Sequence, residues 1–163
     1  MATPDAISEL RNQLLALLKG GQAHTTFDQA ASDLPFDLQG KTPSGLPYSP
    51  WELLEHLRIT LHDILTFSDN ADGKYQPLEW PKEYWPASTS PPDESAWQKT
   101  VNAYSSDLKV FEKLVAERDL TEPFAWDKKK NLLREALLVA DHAAYHVGEL
   151  IVLRRLLGEW EPS

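Results

Sequence analysis

One long, largely apolar segment, Asn131–Gly158, occupies the end of the sequence and reads NLLREALLVADHAAYHVGELIVLRRLLG. Its apolar residues recur at helical spacing, which predicts one helix from about Asn131 to Leu157. Gly158 is typical of a helix C-terminus, and Arg154 and Arg155 fall in the last turn, where cations interact favourably with the helix dipole. A helix of roughly 26 residues is about 40 Å long and can form one side of a helical bundle.

Three earlier segments show the same periodicity. The first runs from Asp5 to Lys19, and the second runs from Ser49 to about Phe67. Ser49 and Glu52 form a capping box at the start of the second segment, with proline at the first helical position. The third begins near Pro91 and places apolar residues at steps of three and four. No strand-like alternation competes, so the sequence predicts an all-α four-helix bundle, with residues 1–163 as a single domain.

Two long connections separate these helices. Residues 20–48 carry several prolines and glycines, and a helical turn or two is expected at 23–31. Residues 68–92 contain five prolines together with tyrosines and tryptophans. Disordered linkers are poor in aromatic residues, so we expect this connection to be ordered and to pack against the bundle. Trp80 and Trp85 are candidates to wall a substrate pocket there.

Composition narrows the classes of function. The 163 residues include 25 acidic and 16 basic side chains, and the net charge of −9 argues against nucleic acid or an anionic membrane as a partner. Without cysteine the chain has no disulfide, thiolate nucleophile or cysteine-ligated metal. The first residues lack the features of a secretory signal, and no uninterrupted apolar stretch approaches the ~18 residues of a membrane span. We therefore expect a soluble, cytoplasmic protein.

Two histidines in the last predicted helix are candidate metal ligands. His142 and His146 are four residues apart, so they project from one helix face and can chelate one ion. Val139, Leu150 and Leu153 share that face, which directs both imidazoles towards the bundle interior. An interior imidazole needs a hydrogen-bond partner or a metal. The pair alone is therefore also explained as two hydrogen-bonded core residues or as two surface residues.

A third histidine, His56, strengthens the metal interpretation. It lies about two turns after the Ser49 cap and can also face inwards. Three histidine ligands leave coordination positions open for water or substrate, as in catalytic zinc sites. Other catalytic motifs are missing: the sequence has no His-Glu-x-x-His, no Glu-x-x-His and no glycine-rich nucleotide loop.

Glu149 is the candidate catalytic residue beside the predicted ligands. It follows His146 by three residues and shares its helix face. In that position it can accept a hydrogen bond from a ligand, act as a fourth ligand or act as a base. Pairing with Arg154 is the alternative.

Four further residues have weaker claims. Asp63 follows His56 by seven residues and is either a hydrogen-bond partner of the site or a solvated helix residue. Tyr145 points about 100° away from His146, which favours core packing over catalysis. We expect His62, rotated about 120° from His56 on the helix, and His24, in the first connection, to lie outside the site.

The segments that carry these residues resemble the DinB family (DinB/YfiT-like metalloenzymes). The similarity is carried by Gly45–His56, GLPYSPWELLEH, and by Leu137–Gly158, LLVADHAAYHVGELIVLRRLLG. The resemblance covers essentially the whole chain. Its most specific part is the order of the histidines, with one on the second helix and His-x-x-x-His on the fourth. The resemblance implies a DinB-like four-helix bundle that holds a divalent metal ion, most often zinc or nickel, through His56, His142 and His146.

The resemblance also implies a class of function. The family includes thiol-dependent S-transferases and a mycothiol-dependent isomerase, so we expect a metal-dependent hydrolase or S-transferase acting on a small molecule. A low-molecular-weight thiol would be the cosubstrate, and a homodimer is implied as well. Two alternatives stay open. One is a noncatalytic bundle that binds a small molecule, a metal or a protein partner; the other is a metal sensor or carrier without turnover.

Overall fold

The computed structural model describes residues 4–160, and these residues form helices and connections without a named strand. Residues 1–3 and 161–163 belong to the predicted domain but lie outside the described residues. A short 3-10 turn occupies Lys82–Tyr84. The α-helices are α1 (Pro4–Lys19), α2 (Phe27–Ala30), α3 (Phe36–Gln39), α4 (Pro50–Ser68), α5 (Ala96–Glu117) and α6 (Leu132–Leu157).

The four long helices form the predicted bundle. Helix α4 packs against both α5 and α6, and α1 packs against the same two helices. This arrangement places α1 and α4 at opposite corners of the bundle. The prediction of an all-α four-helix bundle is confirmed, and α2 confirms the helical turn expected at 23–31. Helix α3 and the 3-10 turn were not predicted.

Local hydrogen bonds fix the ends of the two helices that matter for the site. At the start of α4, the Ser49 side chain accepts from the Glu52 backbone N–H, and the Glu52 carboxylate accepts from the Ser49 backbone N–H. At the end of α6, Gly158 has φ +81°, a left-handed conformation that favours glycine. Both predicted ends are confirmed, because each depends only on neighbouring residues.

Helix α5 begins later than the sequence indicates. Its first residue is Ala96, whereas the periodic pattern placed the start near Pro91. The Asp93 carboxylate accepts hydrogen bonds from the backbone N–H and the hydroxyl of Ser95, which forms a turn before the helix. The adjacent Pro91 and Pro92 also disfavour helical backbone in the residues before them.

The apolar interior consists of two clusters. One surrounds the middle of the bundle and includes Leu57 and Ala140, and the other lies towards the α4 start and includes Leu54 and Val147. The segments between these residues, on α4 and α6, contain the three predicted ligands. The imidazoles therefore form a polar layer between two apolar clusters.

Both long connections are tied to the bundle. In the first, the Trp97 ring N–H donates to the Ala31 carbonyl over 2.7 Å. In the second, the Thr89 carbonyl accepts a hydrogen bond from the Ser49 hydroxyl over 2.6 Å. The expected packing of residues 68–92 against the bundle is confirmed.

Helix α6 is long and apolar enough to cross a membrane by length and composition, with a mean hydropathy of 1.4 over an 18-residue window. In the bundle, however, Val139, Leu150 and Leu153 of this helix are buried core residues. A core helix of a bundle has the same composition, so this measure is weak evidence for a membrane span.

Candidate metal centre

Helices α4 and α6 bring the three predicted ligands together. One nitrogen from each of His56, His142 and His146 lies within 4.8 Å of the others. The Nε2 atoms of His56 and His142 are 3.1 Å apart. Two nitrogens at about 2.1 Å from one ion would be about 3.0 to 3.4 Å apart at octahedral or tetrahedral angles. The three histidines could therefore hold a metal ion.

The partners of the other ring nitrogens determine the tautomers of two imidazoles. His56 Nδ1 is 2.7 Å from the Tyr84 carbonyl oxygen, and His146 Nδ1 is 2.6 Å from Glu149 Oε2. A carbonyl or a carboxylate can only accept, so both Nδ1 atoms carry the proton. The lone pair of each ring is then on Nε2. Histidine ligands of metals commonly have this arrangement.

Burial favours the neutral form of two of the imidazoles, those of His56 and His142. His56 and His146 are buried, with 3% and 8% of their surface exposed. Burial lowers the pKa of His142 to about 3, and repulsion from the other two imidazoles acts in the same direction. Burial also lowers the pKa of His56, although the hydrogen bond to Tyr84 opposes this effect. Metal binding needs neutral imidazoles, so the lowered pKa values of His56 and His142 fit their role as ligands of a metal cation.

Glu149 connects the site to a residue that the sequence did not indicate. Its Oε2 is hydrogen-bonded to His146, and its Oε1 accepts from the Tyr48 hydroxyl over 2.5 Å. The alternative pairing with Arg154 is wrong, because that guanidinium donates to backbone carbonyls, including those of Ala30 and Glu159. The acceptor role is confirmed, whereas the roles as base or fourth ligand stay predictions.

An aromatic stack covers one side of His56. The Trp85 ring lies parallel to the imidazole, with centroids 4.1 Å apart, and Tyr48 stacks on Trp85 at 5.4 Å. Trp85 therefore borders the three-histidine cluster, whereas its role in walling a substrate pocket stays a prediction. Trp80 is 69% exposed and contacts Tyr84, so the structure does not place it at the His56 ring.

Asp63 supports the connection that contacts His56. It is not simply a solvated residue, because its carboxylate accepts hydrogen bonds from the hydroxyls of Tyr75 and Tyr84. The Tyr84 carbonyl in turn contacts His56. The sequence could not indicate that the Tyr84 carbonyl contacts His56, because every residue has a backbone carbonyl.

The remaining candidates lie around or outside the site. The prediction that Tyr145 packs in the core is wrong, because its side chain is 64% exposed. Its ring meets the His146 ring edge-on, with the two ring centroids 4.8 Å apart. The rotation along the helix takes this side chain to the outer face of α6. His62 contacts Asp107 and His24 contacts the Thr25 carbonyl, so both lie outside the cluster, as predicted.

Comparison with known proteins agrees with this fold. The chain matches no family model, and no curated protein matches it. Its structure is similar to the crystal structure of a "putative member of the DinB family" from Exiguobacterium sibiricum, with a TM-score of 0.55 and 14% identity. The match covers 100% of this chain and 98% of that chain. The fold is thus a DinB-like helical fold similar to that of the Exiguobacterium protein, and it contains a three-histidine cluster that could hold a metal.

Proposed function

We propose that this protein is a metal-dependent enzyme that binds one divalent ion, zinc or nickel, through His56, His142 and His146. The observation that carries the proposal is the 3.1 Å separation of two Nε2 atoms at the junction of α4 and α6. When bound, such an ion acts as a Lewis acid and lowers the pKa of a water molecule or thiol beside it.

The chain's own groups would orient the ligands and restrict water. The Tyr84 carbonyl and the Glu149 carboxylate each hold an Nδ1 proton, which keeps the Nε2 lone pairs directed into the cluster. Trp85 excludes water from one face of the His56 ring. Glu149 is the candidate general base, because it is a carboxylate adjacent to a ligand.

The proposed substrate is a small molecule, and the reaction is a hydrolysis or an S-transfer. Because the chain has no cysteine, S-transfer requires a low-molecular-weight thiol as cosubstrate. The net charge of −9 disfavours nucleic acid and anionic membranes as partners, and we propose a cytoplasmic location. The resemblance to the DinB family supports this choice of reactions.

Metal analysis of protein purified without a histidine tag tests the proposal. We expect about one zinc or nickel ion per chain and a loss of that ion in His142→Ala. His24→Ala is the matched control, because His24 is exposed and lies outside the cluster. Parent protein that lacks metal, and that binds neither zinc nor nickel when titrated, would overturn the proposal. A loaded protein should then hydrolyse small esters or amides, or transfer a thiol, and chelation should abolish that activity.

A second candidate is a noncatalytic bundle in which the histidines are structural. The contact between His56 and His142 favours it, since the Nε2 proton of a neutral His142 can donate to His56 without any metal. This candidate predicts no stoichiometric metal. A metal sensor or carrier is distinguished differently: it would bind metal but show no turnover in the activity screen.

A further inference from the structure

The imidazole of His142 lacks the support that the other two imidazoles of the cluster have. His56 Nδ1 donates to the Tyr84 carbonyl. His146 Nδ1 donates to the Glu149 carboxylate. His142 Nε2 contacts His56, but its Nδ1 has no hydrogen-bond partner among residues 4–160. Histidine ligands of metals almost always use the second ring nitrogen as well, so we looked for a partner of His142 beyond the protein's own groups.

A small cavity lies beside His142, between α4, α5 and α6. Its volume is about 10 Å³, which is about the space that one water molecule needs. Apart from His142, Thr60 and Tyr104, the residues that line it are aliphatic. The Thr60 hydroxyl oxygen is buried and has no hydrogen-bond partner among residues 4–160. A buried hydroxyl without a partner is costly, and a buried water molecule commonly provides one.

The contact with His56 determines the tautomer of His142 when no metal is bound. Because the Tyr84 carbonyl holds the Nδ1 proton of His56, the Nε2 atom of a neutral His56 carries a lone pair. His142 Nε2 lies 3.1 Å from that atom, so it carries a proton and donates it. His142 Nδ1 then has the lone pair of the ring and needs a hydrogen-bond donor.

Metal binding reverses this requirement at His142 alone. A ligand Nε2 gives its lone pair to the ion, so the neutral ring carries its proton on Nδ1, which then needs an acceptor. The proton lost from Nε2 is replaced by one on Nδ1, and the charge of the ring is the same in both states. His56 and His146 already carry Nδ1 protons and do not change. A carbonyl or a carboxylate could serve only one of the two states of His142, whereas water and a hydroxyl can both donate and accept.

We propose that a water molecule in this cavity links His142 Nδ1 to the Thr60 hydroxyl, and that His142 is the one ligand that changes tautomer when metal binds. Thr60 follows His56 by four residues, so both side chains lie on the same face of α4. Thr60 is a positioning residue, because it acts on the ion only through the water molecule and His142. The inference rests on the proposed metal site and adds a supporting group for its third ligand.

Nitrogen-15 NMR of the histidine side chains tests the tautomers. Spectra are recorded at about pH 8, where an ordinary histidine is neutral, first in chelator and then with one equivalent of zinc. In chelator, we expect the ring proton on Nδ1 of His56 and His146 and on Nε2 of His142. With zinc, the proton of His142 alone should be found on the other nitrogen, Nδ1. His24 and His62 lie outside the cluster and should give the same spectra in both conditions.

The zinc affinity of Thr60 variants, measured by competition with a zinc-chelating dye, tests the water link. Thr60→Val keeps the shape of the side chain but removes the hydroxyl, so zinc binding should weaken about tenfold. In chelator its His142 should keep the proton on Nε2, as in a folded parent. Thr60→Ser keeps the hydroxyl and should bind zinc like the parent. Thr66→Val is the matched control, because the Thr66 hydroxyl is exposed and donates to carbonyls of its own helix.

Three results would overturn the inference. The first is a parent that binds zinc while His142 has the same tautomer in both conditions, which leaves the proposed function intact. The second is zinc binding by Thr60→Val within twofold of the parent, or by Thr60→Ser as weak as by Thr60→Val. The third is a parent that binds no zinc; if it binds no nickel either, the proposed function is overturned as well.

Discussion

Removing the Glu149 side chain should weaken metal binding without deleting a ligand. Glu149→Ala takes away the acceptor at 2.6 Å from His146 Nδ1 and the acceptor of the Tyr48 hydroxyl. The His146 ring then loses the contact that fixes its tautomer and orientation. Loss of such a supporting group costs about 10- to 100-fold in metal affinity. Because both carboxylate oxygens are engaged here, we expect the upper end, near 100-fold or about 2.7 kcal/mol.

Competition with a zinc-chelating dye measures this change. Glu149→Gln should cost only about tenfold, since its amide oxygen can still accept from His146 while its NH₂ group donates to the Tyr48 oxygen. Glu117→Ala, at an exposed position of α5, is the control and should bind zinc like the parent. If Glu149→Ala binds zinc within twofold of the parent, Glu149 does not orient His146 and this reasoning is refuted. A parent that binds no zinc would refute the proposed function instead.

Two further predictions concern the scaffold. Trp97→Ala should lower the free energy of unfolding in chelator by about 3 to 5 kcal/mol, because the ring is buried and its N–H donates to the Ala31 carbonyl. A urea titration that shows a loss below about 1 kcal/mol would contradict the buried position. Hydrogen bonds from the backbone N–H groups of Thr121 and Glu122 lower the pKa of Asp119. Its stabilisation is present above the unfolded pKa and is lost as pH falls through the folded pKa, so the melting-temperature deficit of Asp119→Ala should shrink from about pH 5 to about pH 3. A constant deficit would contradict this assignment.

Most of the fold could be predicted because the signals are local. The Ser49 capping box and the Gly158 C-terminus involve residues within a few positions of one another, so the sequence identifies both helix ends. The predicted start of α5 was too early, because the spacing of apolar residues does not reveal the turn that Asp93 forms with Ser95. Periodicity identifies a helix face, whereas its ends depend on backbone hydrogen bonds.

The candidate site was predictable only in part, for a related reason. His142 and His146 share one helix face, and the capping box fixes where the helix of His56 begins. Helical spacing from these two starting points therefore predicted that all three side chains face inwards. The Tyr84 carbonyl and Tyr48 reach the site through the path of two long connections, which no local pattern encodes. These contacts are nonlocal in sequence and required the structure.

X-ray absorption spectroscopy of zinc-loaded protein identifies the atoms bound to the ion, and it therefore shows whether His56, His142 and His146 bind one metal ion together. We expect a coordination shell with three imidazole nitrogens at about 2.0 to 2.1 Å from the zinc ion. His142→Ala should lose one imidazole from that shell or fail to bind zinc, and His24→Ala should give the parent spectrum. A parent shell without imidazole scattering, or one unchanged in His142→Ala, would contradict the claim.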